Sequence, residues 1–392
     1  MPSDGLSTDG AAFSEAGLPN GLPAEAAAKR PPATAPALSI ARPRWRTAVT
    51  IGVTAAYSLA GLFLFILALQ LLKSGAGGLK PILKAVSADG VLNLLGFGWL
   101  GAYGVMSGSP VAAISLSLLA GDTISDVEAF AMINGSRLGA SFIVLFVGFI
   151  LYLTHKRTAD GLFIGVVALL TAFTLWLPVL PIGILVLKAG WFDGMKVGTP
   201  PGITSFIEVV YDPIVVRAVD HLHRFPVFLL GIGTLLTAFA VFDRALPNLE
   251  QPSLRVERMK SWLHHPLAMF ALGLGITAMT LSVSISLTLL IPLSLKGYIR
   301  RDGIMPYVMG ANISTWVDTL VAALLLDSPR AFTIVFTQMA VGAGVSLLVL
   351  LFFYKPYSRV ILALAHNVTQ SKRGFAVFLG VILLVPLVLF FS

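Results

Sequence analysis

Two short polar marks occur twice in this chain at one shared offset. Ser107-Gly108-Ser109 returns as Ser282-Val283-Ser284, and Gly135-Ser136-Arg137-Leu138-Gly139 returns as Gly310-Ala311-Asn312-Ile313-Ser314. Both pairs are 175 residues apart (107 to 282, 135 to 310). Serine hydroxyls and N–H groups freed at a helix break can donate to an anion, and freed carbonyls can coordinate a small cation. Arg137 adds a guanidinium, whose planar fork matches an oxyanion. Asp318 adds a carboxylate able to take a cation or a proton. Both charges lie well inside apolar stretches, where a charge costs about 2.5 kcal/mol or more and so faces a partner or a cavity. Arg137 therefore has two readings that do not exclude each other: it binds an anionic substrate, or it forms a buried ion pair with Asp318. Any one serine could equally serve helix packing; the repeated placement favours a site.

Other chemistry is sparse. There is no cysteine, hence no disulfide and no thiolate chemistry. His221 and His223 are two apart and would not share a helix face. Glu208, Asp212 and Arg217 suit a solvated outer segment, and Gln338 and Asn367 suit packing. No Walker motif, metalloprotease motif or nucleophile elbow is present. An enzyme is not expected, and no cofactor or structural metal is implied.

The polar marks are embedded in a chain that is 56% hydrophobic and 12% charged, with a mean hydropathy of +0.87. A soluble domain carries about twice that charged fraction. Seven stretches are uncharged or nearly so and of spanning length: 48–72, 127–154, 161–188, 225–243, 304–326, 330–354 and 374–391. Two more, Val91–Gly121 and Pro266–Leu295, would measure about 45 Å as straight helices, against a hydrocarbon core of about 30 Å. Their centres hold the Ser-x-Ser marks with Gly or Pro nearby. Each reads as a hairpin or a discontinuous helix, since broken backbone at membrane depth is tolerated where protein or a wet cavity satisfies it. The expectation is an all-α polytopic membrane protein built of two inverted repeats, each with a re-entrant helical hairpin.

Flanking charge orients these parts. The formal net charge of +8 sits in short Lys/Arg clusters beside apolar runs, which is the positive-inside pattern and not a nucleic-acid surface. Residues 85–136 hold no Lys or Arg, whereas Arg255, Arg258, Lys260, Lys296, Arg300 and Arg301 bracket the second broken stretch. The first hairpin is thus expected to enter from outside and the second from inside, with His155-Lys156-Arg157 on the inner side. The division expected is a disordered cytoplasmic tail over 1–45, a first membrane repeat over 46–190, an extracellular or interfacial segment over 191–224, and a second repeat with a C-terminal helix over 225–392. The N-terminus is placed in the cytoplasm, and the chain in the plasma or inner membrane.

These residues resemble the sodium–phosphate cotransporter family, in which each inverted repeat carries a Q-S-S-S motif in a hairpin and then a G-A-N-I-G-T-T type motif. Gly310-Ala311-Asn312-Ile313-Ser314-Thr315 is similar to the second motif, and Gly135 to Ser141 is a looser match. Gly61 to Leu69 in the first span and Asp327-Ser328-Pro329-Arg330 are also similar to family segments. The resemblance covers roughly residues 50–155 and 225–355. Met106-Ser107-Gly108-Ser109-Pro110 and Leu281-Ser282-Val283-Ser284-Ile285 keep the outer serines of the first motif and lack its glutamine and middle serine. The resemblance implies a secondary-active transporter of phosphate or a similar oxyanion, coupled to Na⁺ as the co-transported ion. Ser107, Ser109, Ser282, Ser284, Asn312, Ser314 and Thr315 would then line the site, with Arg137 supplying positive charge and Asp318 as the ion-coupling candidate. Transport of another anion, coupling to H⁺ through Asp318, and a non-transporting scaffold or sensor on the same fold are the alternatives.

Overall fold

The apolar stretches fold as helices, and the polar marks fall where those helices stop. The computed structural model describes residues 44–85, 90–154, 160–195, 197–245, 265–280, 282–295 and 299–392, and contains no strand among them. Residues 1–43 of the tail expected over 1–45, the His155-Lys156-Arg157 cluster, the basic residues Arg255, Arg258, Lys260 and His264, and Lys296 lie outside the described residues. Residues 1–49 and 50–392 are separate units; the packing below belongs to the second.

In chain order the first half gives α1 (Arg44–Gly75), α2 (Lys80–Ala85), α3 (Val91–Val105), α4 (Ser109–Ala120), α5 (Asp126–Ala140), α6 (Phe142–Thr154) and α7 (Asp160–Lys188). Two ten-residue helices follow, α8 (Pro201–Val210) and α9 (Asp212–His221). The second half gives α10 (Arg224–Ala245), α11 (Pro266–Thr280), α12 (Val283–Leu295), α13 (Ile304–Ser314), α14 (Trp316–Leu325), α15 (Pro329–Leu348), α16 (Tyr354–Gln370) and α17 (Lys372–Phe390). Among the described residues, seven helical segments are long and apolar enough to cross a membrane: Gly52–Gly78, Asp126–Thr154, Asp160–Lys188, Arg224–Ala245, Arg301–Leu325, Pro329–Gln370 and Lys372–Phe390. They coincide with the seven stretches picked out by composition. One is longer than expected. The run from Pro329 continues to Gln370 through a π-helical turn at Val349–Phe353, and Pro356, which has no N–H to donate, falls in the first turn of α16, where none is needed.

Both over-long stretches are broken. α3 ends at Met106, which adopts the left-handed conformation (φ 56°), and the Ser107 N–H reaches back to the Ala102 carbonyl at 3.2 Å. This closes the helix as a glycine-type cap does, here without glycine. α12 starts after Ser282, whose hydroxyl accepts from the Ile285 N–H at 3.3 Å. At 12 to 15 residues none of the four helices exceeds about 22 Å, short of the hydrocarbon core.

Contacts give the helix directions. α3 runs alongside α5 in the same sense: Leu95 and Trp99 meet Gly135, and Trp99 and Ala102 meet Gly139. α4 runs against α5, with Gly108 beside Ser136 and Ala140 and the Ser115 hydroxyl donating to the Ala129 carbonyl at 3.1 Å. The chain therefore folds back at Met106–Gly108.

The second half repeats the tightest of these crossings residue for residue. A Cβ on Gly98 would stand 2.0 Å from the Met132 carbonyl oxygen and one on Gly273 2.1 Å from that of Tyr307. A Cβ on Gly135 would stand 2.1 Å from the Leu95 oxygen and one on Gly310 2.0 Å from that of Phe270. Every residue in the second crossing lies 175 positions after its counterpart (98 to 273, 132 to 307, 95 to 270, 135 to 310). α1 and α10, the first long helix of each half, pack antiparallel, as Gly61 meets Phe242, Leu72 meets Gly231 and Gly75 meets Phe228.

The two larger hydrophobic cores each draw residues from both halves. α3 lies against the last helix, with Asn93 Nδ2 donating to the Phe390 carbonyl at 3.1 Å and the Tyr103 hydroxyl to that of Ile382 at 3.0 Å. α5 is tied to α7 and α15 through Asn134, which donates to the Trp176 carbonyl (3.0 Å) and accepts from Gln338 Nε2 (2.6 Å). Segment 191–224 packs Ile207 and Tyr211 into the larger of these cores, while α8 and α9 expose Phe206, Val209, Ile214 and Val216.

Candidate functional site

α4 begins at Ser109, after the break that Met106 makes in the chain, and α14 at Trp316, after Thr315 separates it from α13. The two starts touch: Ser109 Oγ and Thr315 Oγ1 are 3.3 Å apart. α12 begins at Val283, and its Ser284 hydroxyl donates to the Met106 carbonyl at 2.7 Å. Three helix N-termini of ten residues or more thus gather around the break at Met106–Gly108. The unpaired N–H groups and aligned peptide dipoles at such ends favour negative charge.

Arg137 on α5 enters this region. Its side chain is 0% exposed, and its guanidinium carbon sits 4.1 Å from the centroid of the Trp316 ring. Trp316 also meets Trp176, with ring centroids 5.6 Å apart. Arg137 Nη2 donates to Thr319 Oγ1 at 3.2 Å, and Thr319 Oγ1 donates to Asp318 Oδ1 at 2.9 Å. The direct Arg137–Asp318 ion pair weighed from the sequence is not formed. Thr319 stands between the charges, because residues 318 and 319 are adjacent on one helical turn and 319 is the one pointing at α5.

Much of the remaining hydrogen-bonding capacity here is unused. Arg137 Nε and Nη1, Trp316 Nε1, Asp318 Oδ2, Ser314 Oγ and both polar atoms of the Asn312 amide are buried without a partner. Ser109 stands beside the Asp318 carboxylate but makes no hydrogen bond to Oδ2. Most buried polar groups are paired, and each exception calls for a cause.

Of the nine residues singled out by sequence, Ser109, Arg137, Thr315 and Asp318 are joined in this cluster. Ser107 flanks the break, half-buried and with no side-chain hydrogen bond among the described residues. Ser284 is spent on holding the two breaks together, and Ser282 caps α12, the structural role for both. Asn312 and Ser314 are buried on α13 (1% and 5% exposed), with no contact that joins them to Arg137. Trp316 and Thr319 complete the cluster and were not expected from sequence. One signal for Trp316 existed, since it stands where the G-A-N-I-G-T-T pattern ends in threonine. Thr319 had none; only the fold sets it opposite Arg137.

Comparison with protein-family models, with curated proteins and with solved structures gives no match.

Proposed function

We propose that the protein is a secondary-active transporter of inorganic phosphate or a similar oxyanion, working by alternating access and coupled to Na⁺. The observation that carries this reading is Arg137: a buried guanidinium among helix N-termini, with Nε and Nη1 unpartnered and no carboxylate in direct contact. A structural arginine at this depth would be neutralised by a partner; this one keeps its donors. The resemblance to sodium–phosphate cotransporters supports the same assignment through Gly310–Thr315 and the paired Ser-x-Ser marks.

In this reading the halves are inverted repeats. The matched glycine crossings support the repeat, and the antiparallel packing of α1 on α10, equivalent helices of the two halves, supports the inversion. The short helices either side of each break support two re-entrant hairpins whose tips meet at Ser284 and Met106. Transport needs no covalent intermediate: substrate and ion act by stabilising the same occluded state. The N-terminus lies in the cytoplasm by the Lys/Arg asymmetry.

Asp318 favours a second form of coupling, by H⁺, since its Oδ2 is shielded and free to take a proton. Uptake of labelled phosphate into proteoliposomes, with Na⁺ and pH varied independently, tests both. Na⁺-dependent accumulation supports the first and proton-driven accumulation the second. No uptake under either gradient overturns transport of phosphate.

A further inference from the structure

No acidic residue follows Asp327 in the sequence, whereas Arg330, Lys355, Arg359, Lys372 and Arg373 do. All but the first of these cations lie in α16 or at the start of α17. The helical run Pro329–Gln370 is 42 residues long and would measure about 63 Å as a straight helix, about twice the hydrocarbon core. α15, at 20 residues, already covers that thickness. Helical geometry is interrupted at Phe353 (φ −120°, ψ 9°), the last residue of the π-helical turn, so α16 is free to leave the line of α15. It starts at the end of the bundle that holds Arg300 and Arg301. There the Tyr354 hydroxyl donates to the Asp302 carbonyl, and Leu362 lines an open cavity of about 590 Å³ together with both arginines.

α16 carries three distinct surfaces. Ser358, Ile361 and Ala365 are buried. Lys355, Arg359 and His366 are exposed and, at spacings of four and seven, form one stripe. Val360 and Leu364, 56% and 44% exposed, form a second exposed stripe, apolar and about 140° around the helix from the first. The cavity beside α16 is balanced in charge, since Arg300 pairs with Asp302 at 3.3 Å and Arg301 with Asp160 at 2.7 Å. Lys355, Arg359, Lys372 and Arg373 make no ion pair among the described residues. We infer that α16 lies along the membrane surface and docks on a leaflet of anionic phospholipid. Val360 and Leu364 enter the acyl boundary, and Lys355 and Arg359 meet headgroup phosphates. A basic stripe and an apolar one on the same helix, with no carboxylate to repel the lipid, bind such a leaflet by charge and burial together. Lys372 and Arg373 add two cations where the chain turns into α17. Nothing in this surface depends on transport.

The chain has no cysteine, so Leu364→Cys gives a single attachment point for a fluorophore. Quenching of that fluorophore tests the docking. The labelled full-length protein is placed in nanodiscs of phosphatidylglycerol and phosphatidylcholine at equal mole fraction, with one lipid or the other brominated in its acyl chains. Brominated phosphatidylglycerol is expected to quench more strongly, reporting a local enrichment of about fivefold or more, the worth of one Lys or Arg at a charged surface. Lys355→Gln with Arg359→Gln, both at exposed positions, is expected to lower the enrichment to that read at Leu229→Cys, an exposed position on α10. Salt at about 1 M, where the screening length is about 3 Å, is expected to do the same without any change to the stripe. Equal quenching by the two lipids at Leu364→Cys overturns the inference, and so does an enrichment that survives the paired substitutions. A fluorophore quenched by neither lipid also overturns it, and shows that this face meets water or a protein instead.

Discussion

The Ser284 hydroxyl donates to the Met106 carbonyl at 2.7 Å, so one helix break holds the other from 178 residues away. Met106 is in the left-handed region at φ 56°, which costs a non-glycine residue about 1–3 kcal/mol. Its carbonyl is turned out of α3 as a result, and Ser284 is what satisfies it. The two tips are thus latched, and alternating access would have to release that latch.

Removing the latch should be visible without any transport assay. Ser284→Ala leaves the Met106 carbonyl unpaired and is expected to lower stability by about 1–3 kcal/mol. Thermal unfolding in detergent, with hydrogen exchange across 103–110, checks this: exchange is expected to rise there before it rises elsewhere in α3 and α4. Unchanged exchange at the break would show that the hydroxyl is not holding it.

Arg137 separates the substrate-binding role from the structural one. Arg137→Gln keeps a polar side chain but loses the charge and the stacking plane, and is expected to raise the phosphate concentration for half-maximal uptake by about tenfold or more, the loss of a charge-assisted hydrogen bond. Arg137→Lys is expected not to restore it, since an ammonium neither forks nor stacks on Trp316 as guanidinium does. Uptake affinity unchanged by Arg137→Gln would remove the arginine from the binding site.

Thr319 sits between two charges and touches both. Thr319→Val preserves shape and strips the bridging hydroxyl from Arg137 and Asp318, with an expected cost of about 1–3 kcal/mol. Thr319→Ser keeps the hydroxyl and is expected to hold stability close to wild type. Paired unfolding curves of the two variants decide whether the bridge or merely the volume matters.

The glycine crossings predict a matched response in the two halves. Gly135→Ala and Gly310→Ala would each drive a methyl to about 2 Å from a facing carbonyl oxygen (2.1 and 2.0 Å), and both are expected to destabilise by about 1–3 kcal/mol or more. Gly344→Ala, at a helical glycine whose added Cβ meets nothing within 4 Å, is expected to be neutral or stabilising by up to about 1 kcal/mol. Expression level and melting temperature of the three variants read this out, and a tolerated Gly310→Ala beside a damaging Gly135→Ala would break the equivalence of the crossings.

By itself the sequence determined which stretches become helices and two of the places where they break. Uncharged length identified the seven candidate spans, because a bilayer leaves few ways to satisfy a backbone other than a helix. Excess length together with Ser, Gly and Pro identified the two broken stretches, because those residues fit a helix interior poorly. It also exposed Arg137 and Asp318, since a charge stands out in an apolar run. The tertiary structure decided which polar residues gather into one cluster. Ser282 and Ser284 look equivalent to Ser107 and Ser109 along the chain, yet the first pair is consumed by a helix cap and a latch while Ser109 joins the charged cluster. Whether a hydroxyl is free or spent depends on the group that packs against it, and that group comes from another helix. The same holds for the charges: in sequence Arg137 and Asp318 invited a direct ion pair, and the register of α14 against α5 put Thr319 between them, leaving the donors of the one and the acceptor of the other without partners.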